Sequence, residues 1–134
     1  MNAVLLDTNV VSFFMKDHPY SQWYRTAVEG KSLTISFMTA GELYEGAYRH
    51  KWGAIRMAEL KATLNSYVVI PHSIEICEAW GWIRSERRAL PIAVDDAWIA
   101  ATALVHGYPL VTHNPTDFAW VRGLQLITAS PPKK

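Results

Sequence analysis

Short apolar segments alternate with longer helical ones along this chain, and this alternation limits the fold more than any other feature. We predict strands at residues 2–7, 32–36, 67–70, 110–112 and 124–128. We predict helices at residues 9–15, 20–29, 39–52, 54–65, 73–89 and 95–106. Such alternation is typical of a parallel sheet with helices on both faces. The expected fold is therefore α/β, a three-layer α/β/α sandwich around a central, mostly parallel sheet of four or five short strands.

The length and composition of the chain fit one folded domain. Its 134 residues are 50% hydrophobic, which suffices for a core and argues against disorder. We predict a single domain at residues 1–130 and a flexible tail at residues 131–134. No apolar run approaches the roughly 20 residues that span a bilayer. Because Cys77 is the lone cysteine, we expect no intrachain disulfide, a small core residue at this position and a cytoplasmic protein.

Basic residues are balanced by acidic ones. The formal net charge is +1 with neutral histidines, which argues against binding nucleic acid through bulk charge. The densest basic cluster is Arg84, Arg87 and Arg88. A solvated helix face explains this cluster most simply.

Acidic residues recur where predicted strands end or helices begin. Asp7 ends the first apolar run, Glu42 follows the second strand, Asp96 opens the last helix and Asp117 follows the fourth strand. The carboxyl ends of parallel strands share one sheet edge, which is where ligands bind in open α/β sheets. We therefore interpret these four residues as one cluster.

Each of these residues also has an ordinary explanation as a helix cap. Glu42 lies three residues after Thr39, a spacing in which its carboxylate caps the Thr39 amide. Asp95 or Asp96 is a candidate N-cap, and Asp117 follows the turn-forming pair 114–115. Asp7 could equally cap the helix after it, although Thr8 or Asn9 is the expected cap. Only Asp7 follows a strongly apolar strand, and a buried carboxylate needs a partner.

A divalent cation would reconcile several carboxylates at one place. Carboxylate oxygens without histidine or cysteine ligands favour Mg²⁺ or Mn²⁺ over zinc. Such an ion lowers the pKa of a bound water and so supports hydrolysis of phosphodiesters. Candidate contacts to the substrate or transition state are Thr8, Asn9, Thr112 and Asn114.

The segments around these acids resemble the motifs of PIN-domain ribonucleases, most closely the VapC-like toxins of toxin–antitoxin pairs. The segments are residues 5–9, 39–43, 96–101 and 110–118, which occur in the family's order. The resemblance implies that Asp7, Glu42, Asp96 and Asp117 are the catalytic, metal-binding acids. The accompanying polar positions are Thr8, Asn9, Thr39, Thr112 and Asn114.

The same resemblance implies Mg²⁺- or Mn²⁺-dependent cleavage of RNA, often transfer RNA. It also implies a homodimer that a cognate antitoxin neutralises. The chain departs from the family pattern at His113, where many relatives have a different basic or polar residue. Asp95 adds a second carboxylate beside Asp96, and we expect Asp96 to face the metal and Asp95 to be the N-cap.

Aromatic residues offer a candidate surface for the antitoxin. Tyr44, Tyr48 and Trp52 repeat every four residues and so share one side of their helix. Core packing is the simpler explanation for at least one of them, and an antitoxin groove is the functional one. Residues 20, 23 and 24, all aromatic, could line the same groove or a dimer face. His113 is a candidate phosphate contact, and we do not expect it to be catalytic.

Two other functions fit the acids less well. An aspartyl-phosphate phosphatase or phosphotransfer enzyme needs a second aspartate two residues after the first, and here that residue is Asn9. A non-catalytic RNA-binding module with a vestigial acidic pocket is the third alternative. RNA cleavage that depends on a metal separates the first hypothesis from both.

Overall fold

One parallel sheet forms the centre of the molecule. The computed structural model describes residues 2–86 and 91–131, and within them the sheet has five strands. They are β1 (Ala3–Leu6), β2 (Ser32–Ser36), β3 (Val68–Ile70), β4 (Leu110–Val111) and β5 (Leu126–Ile127). Their order across the sheet is β3-β2-β1-β4-β5, and all neighbours are parallel. The predicted parallel sheet is confirmed.

Helices cover both faces of this sheet. Those in the described residues are α1 (Thr8–Lys16), α2 (Ser21–Ala27), α3 (Phe37–Arg49), α4 (Ala54–Asn65), α5 (Ile74–Glu86) and α6 (Val94–His106). Along β1 the side chains alternate between two hydrophobic clusters. Leu5 packs with α5 and α6, whereas Val4 and Leu6 pack with residues of α1 to α4. This alternation follows from the two-residue period of a strand, and it gives the three layers expected from the sequence.

The register of β1 and β4 sets the position of the candidate active site. Leu6 pairs with Val111 across the two strands. The next residue of each chain segment, Asp7 and Thr112, therefore leaves the sheet at the same place. Thr112 keeps one more sheet-like contact, because its amide donates to the Ile127 carbonyl at 3.0 Å.

Two helices begin at residues that differ from our predictions. The N-cap of α1 is Asp7, whose side chain accepts from the Thr8 amide, and neither Thr8 nor Asn9 has this role. Helix α3 begins at Phe37, and its N-cap Ser36 accepts from the Thr39 amide. Thr39 therefore lies in the first turn and does not open the helix. Ser36 is the last residue of β2 and Asp7 directly follows β1, so each turn between strand and helix is very tight.

Helix α5 corrects the prediction for Cys77. Its core-facing stripe contains buried Ile76 and Ile83 with half-buried Trp80, as the spacing indicates. Cys77 follows Ile76, is rotated about 100° around the helix axis, and is exposed. The prediction of a core cysteine was wrong.

Some predictions concern residues outside the described ranges. Arg87 and Arg88, the end of the predicted helix 73–89 and residues 132–134 of the predicted tail lie outside the described residues. The division into a domain at 1–130 and a tail stays a prediction. Within the described part of the chain, no helix is long and apolar enough to cross a membrane.

Candidate active site

Asp7 lies at the carboxyl end of the central strand with both of its oxygens engaged. The residue is 5% exposed. Its Oδ1 accepts from the Thr8 amide at 2.8 Å, and its Oδ2 accepts from the Thr112 hydroxyl at 2.8 Å. The sequence offered helix capping and burial as separate explanations for Asp7, and the residue both caps α1 and is buried. One carboxylate oxygen caps α1, and the other faces the strand beside it.

Thr112 fixes the direction of the Asp7 carboxylate. Its side chain is buried directly after β4. Its Oγ1 donates to Asp7 and accepts from the Asn114 amide at 3.0 Å. A hydroxyl that both donates and accepts has little freedom to rotate. The Oδ2 atom of Asp7 is therefore held by a side chain that is itself held.

A relay of hydroxyl groups connects α3 to α1 and ends at Glu42. The Thr8 hydroxyl donates to Glu42 Oε1 at 2.8 Å and lies 2.9 Å from the Thr39 hydroxyl. Because Thr8 gives its one proton to Glu42, Thr39 donates to Thr8. The Thr39 amide is capped by the Ser36 side chain at 3.1 Å. The capping-box explanation for Glu42 was therefore wrong, and its carboxylate faces Thr8 across the sheet edge.

Two adjacent aspartates occupy the first turn of α6. The N-cap of this helix is Ala93, so the expectation that Asp95 is the N-cap was wrong. The Oδ1 atom of Asp95 instead accepts from the Asp96 amide at 3.0 Å. Negative charge is stabilised at a helix N-terminus, and both carboxylates lie within electrostatic reach of Asp7.

Asp117 completes the set at the surface. It ends a short 3₁₀ helix, Pro115–Asp117, and its side chain is exposed. Its charge contributes to the raised pKa values of both Asp7 and Asp96. The structure thus brings Asp7, Glu42, Asp96 and Asp117 to one sheet edge, as predicted, and adds Asp95.

The pKa values of three of these carboxyl groups are raised. Burial is the largest cause for each. Burial and the contact with Asp95 raise the pKa of Glu42 to about 7, against the donation from Thr8. Burial and the charges of Asp7, Asp95 and Asp117 raise the pKa of Asp96 to about 7. The pKa of Asp7 is also raised, although the Thr112 and Thr8 hydrogen bonds oppose the change.

No ion pair between described residues balances the charge of this cluster. Among residues 2–86 and 91–131, Glu45–Arg49 on the exposed side of α3 is the single ion pair. The donor set consists of carboxylate and hydroxyl oxygens, which suit a hard divalent cation. Within the described part, no three acidic, His or Cys side chains already form a ligand shell. The donor chemistry therefore fits Mg²⁺ or Mn²⁺, although these side chains are not drawn together as a coordination shell.

The two asparagines predicted to contact substrate lie at the rim of the site. The side chains of Asn9 and Asn114 are exposed. The Asn114 backbone amide joins the network through Thr112. Both side chains are accessible to a bound polymer, and neither is part of the buried hydrogen bonds.

The site opens into two depressions. A groove of about 490 Å³ runs from Thr8 and Glu42 to Trp52 and Arg56, and we call it the α3–α4 groove. The Arg56 guanidinium lies 4.0 Å from the centroid of the Trp52 ring. A second cavity of about 320 Å³ adjoins Asp96 and Asp117. The acidic cluster is thus accessible from both sides.

The predicted aromatic surface is divided by the structure. Trp52 lines the α3–α4 groove, whereas Tyr44 and Tyr48 do not. These two rings stack at 6.3 Å, and Tyr48 is 69% exposed. Tyr24, considered for a groove or dimer face, is fully buried.

Sequence reasoning missed the contributions of Tyr24 and Ser36, and it assigned Asp95 to the N-cap instead of the acidic cluster. Ser36 carried a signal, since a serine directly before an apolar helical run is a common N-cap. Asp95 carried one too, because its neighbour Asp96 was already a candidate. Tyr24 had none, because its hydroxyl meets Thr112 across 88 positions of sequence.

Comparison with known proteins places these features in one family. The family model of the PIN domain matches residues 4–124. The chain is 32% identical over 127 residues to ribonuclease VapC1 of Haemophilus influenzae (strain R2866), covering 90% of this chain and 93% of that one. It is 29% identical over 127 residues to the tRNA(fMet)-specific endonuclease VapC of Shigella flexneri, covering 93% and 96%. A toxin–antitoxin complex from Klebsiella pneumoniae is similar in structure, with a TM-score of 0.75, 26% identity and coverage of 98% and 100%.

Proposed function

We propose that this chain, which belongs to the PIN domain family and is of VapC type, is an endoribonuclease acting as the toxin of a toxin–antitoxin pair. One observation carries the proposal. Carboxyl groups with raised pKa values converge at the carboxyl edge of a parallel sheet. Burying several carboxylates beside one another costs stability. A nuclease gains function from such a cluster, because the cluster can bind a cation.

The proposed cofactor is Mg²⁺ or Mn²⁺. Asp7 and Asp96 would hold the ion, with Glu42 and Asp117 nearby, directly or through water. When bound, such an ion lowers the pKa of a water molecule and neutralises phosphate charge. Burial raises these pKa values most and repulsion between the carboxylates adds to it; a cation would offset both, and this supports the assignment.

The residues of the chain have distinct proposed roles. Thr112 and the Thr8 amide orient Asp7 through their hydrogen bonds. Burial raises the pKa values of Glu42 and Asp96 to about 7 without metal, and a bound cation would favour the carboxylate form of both groups, in which they can hold the ion. Asn9 and Asn114 lie exposed at the rim, where their amides can donate to phosphate oxygens or bases of RNA.

Removal of divalent metal is expected to stop RNA cleavage. The purified protein should cut RNA in Mg²⁺ or Mn²⁺, lose activity in EDTA and regain it when the metal is restored. Hydrolysis by water should leave 5′-phosphate and 3′-hydroxyl ends, which end-specific ligation detects. Cleavage that survives EDTA, or cyclic phosphate ends, would contradict the metal mechanism. An acyl-phosphate on Asp7 without cleavage would favour phosphotransfer, and RNA binding with neither reaction would favour a binding module.

The proposed substrate class is transfer RNA. A relative that is similar over most of this chain is a tRNA(fMet)-specific endonuclease, and this likeness supports the proposal. Proteins generally select RNA by shape and unpaired loops, so the site residues do not identify the bond. Sequencing of cleaved ends after induced expression should show one or a few tRNA positions. Cuts spread through messenger RNA would contradict it.

We place the antitoxin segment in the α3–α4 groove. This groove is continuous with the acidic site, because Thr8 and Glu42 line its end. Its lining is apolar at Met15, Leu43, Ala47 and Leu60, with basic residues (Lys16, His50, Arg56) and acidic ones (Glu42, Glu59) among them. An amphipathic or extended segment that carries both charges fits such a groove. A segment bound there would also cover Glu42, which explains how binding neutralises the toxin.

Trp52→Ala is expected to weaken antitoxin binding by at least tenfold. The indole lines the groove and packs under Arg56, and buried aromatic anchors typically contribute about 2 kcal/mol or more. Tyr48→Ala is the matched control, because Tyr48 lies in the last turn of α3, four residues before Trp52, and outside the groove. Calorimetry with the full chains measures both affinities. Equal losses of affinity for the two variants would contradict the groove and would indicate that the antitoxin contacts the side of α3 that carries Tyr44 and Tyr48.

A homodimer and a cytoplasmic location stay proposals by family resemblance. Analytical ultracentrifugation of the free toxin tests the first. A sedimentation coefficient of a monomer at micromolar concentration would contradict it. Cell fractionation tests the second.

A further inference from the structure

The hydroxyl of Tyr24 lies at the centre of a buried polar contact behind the acidic site. It is 2.6 Å from His113 Nδ1, 3.3 Å from the Thr112 carbonyl oxygen and 3.3 Å from Thr128 Oγ1. Tyr24 itself is fully buried. Its hydroxyl has one proton, so it donates to one of these groups and accepts from another. When His113 Nδ1 carries a hydrogen, Tyr24 accepts from it and donates to the Thr112 carbonyl.

The ring of His113 is held on several sides. It meets the Phe13 ring edge-on at 5.3 Å and the Tyr20 ring at 4.7 Å between centroids. The Tyr24 ring lies at 5.6 Å in an edge-on arrangement. Aromatic contacts of this kind restrict the ring, and the hydrogen bond to Tyr24 fixes its orientation. The side chain of His113 therefore restrains the backbone of its two neighbours, Thr112 and Asn114.

That backbone determines the position of the Asp7 carboxylate. Thr112 precedes His113 and donates to Asp7 Oδ2, and the Asn114 amide after it donates to Thr112 Oγ1. Asp7 is repelled by the charges of Asp95 and Asp117. A buried carboxylate among like charges keeps its orientation only if its partners are fixed.

We propose that Tyr24 and His113 form a positioning pair, which holds the Thr112–Asn114 turn so that Thr112 orients Asp7 for the reaction. Neither residue touches the reacting atoms. The proposal rests on the ribonuclease function for its kinetic effect, whereas the hydrogen-bond chain is independent of it. It also gives His113 a role as an anchor of the turn, without phosphate contact or proton transfer.

The test uses four single variants of the full chain. Tyr24→Phe removes the hydroxyl and keeps the ring, and His113→Leu removes the polar ring atom. His113→Asn restores a polar atom near the position of Nδ1, so it serves as the conservative rescue. Tyr20→Phe is the matched control, since Tyr20 packs on His113 through its ring. Circular dichroism at the assay temperature establishes that each variant is folded.

Tyr24→Phe and His113→Leu are expected to lower kcat roughly tenfold or more, as loss of a residue that supports a site residue typically does. KM for RNA should change less than kcat, because Asn9 at the rim is unaffected and only Asn114 lies in the loosened turn. The Asn114 amide should exchange its hydrogen faster in both variants, as its acceptor Thr112 loses a fixed position. His113→Asn and Tyr20→Phe should behave as the unmodified protein.

Three outcomes would overturn the proposal. One is unchanged exchange at Asn114 together with unchanged kcat in Tyr24→Phe. Another is an equal loss of kcat in His113→Asn and His113→Leu, which would indicate that the imidazole takes part in the chemistry. A third is a rise in KM alone, which would indicate contact with RNA. If the unmodified protein cuts no RNA, the ribonuclease proposal fails, and the exchange rates still decide whether the pair positions the turn.

Discussion

Asp7→Asn is expected to lower RNA cleavage by about 1000-fold or more and to leave the fold intact. The substitution removes one negative charge from the centre of the acidic cluster. A bound divalent ion supplies several kcal/mol of charge stabilisation, and each loss of about 1.4 kcal/mol slows the reaction tenfold. Single-turnover cleavage of RNA at saturating Mg²⁺ measures this loss directly.

The fold should tolerate this change because asparagine has nearly the shape of aspartate. Its carbonyl oxygen can accept from the Thr8 amide as Asp7 Oδ1 does at 2.8 Å. Its amide then faces Thr112 Oγ1, whose second lone pair can accept from it while the first still accepts from the Asn114 amide, so that only the hydroxyl proton needs a new acceptor. Burial raises the pKa of Asp7, so the charge is already unfavourable without metal. The melting temperature should therefore stay equal or rise.

Asp17→Asn is the matched control for this experiment. Asp17 ends the same helix that Asp7 begins, and it lies exposed in the left-handed region at φ 51°. Asparagine tolerates this conformation well. The control should cleave RNA at the unmodified rate. Equal activity of Asp7→Asn and Asp17→Asn would remove Asp7 from the reaction.

The positions of the acids followed from sequence because they depend on strand alternation. Parallel strands place their carboxyl ends at one edge, so Asp7 and Thr112 had to leave the sheet together once β1 paired with β4. Hydrophobic alternation identifies such strands without knowledge of side-chain contacts. For this reason the fold and the shared location of the four acids could be predicted from the sequence.

The hydrogen bonds around the acids did not follow from sequence. Local capping patterns assigned Glu42 to Thr39, whereas its carboxylate accepts from Thr8, 34 positions away. A capping box competes with any donor that the fold brings near, and sequence spacing contains no information on that donor. The same reason hid Tyr24, whose partners lie just after β4 and β5. Helix periodicity likewise grouped Tyr44 with Trp52, but only Trp52 faces the groove.

The metal-free protein is expected to lose stability as pH rises from about 4 to about 7. The pKa values of Glu42 and Asp96 are about 7 in the folded protein, against ordinary values of 4.5 and 3.8. In this pH range the folded state keeps protons that the unfolded state has released. Stability therefore falls with pH across the range and is level above it. Thermal unfolding in EDTA at pH 5 and pH 8 measures the difference.

Glu42→Gln is expected to remove part of this dependence and to stabilise the metal-free protein at pH 8 by about 1 kcal/mol, or roughly 4 °C in melting temperature. The full pKa shift would correspond to more, but the side chain is only half-buried, and solvent screening reduces the effect. Glutamine resembles the protonated acid, because it can still accept from Thr8 and can donate to Asp95. Glu45→Gln on the same helix is the control, since its exposed pair with Arg49 contributes little.

Mg²⁺ should separate charge repulsion from other causes of this pH dependence. A ligand that binds only the folded state stabilises it according to its concentration relative to Kd. Millimolar Mg²⁺ at pH 8 should therefore raise the melting temperature of the unmodified protein and should have little effect on Asp7→Asn. If stability at pH 8 equals that at pH 5 without metal, the carboxyl groups are not in conflict. The acidic cluster would then have no excess charge for a cation to relieve, and its raised pKa values would no longer support a metal-dependent nuclease.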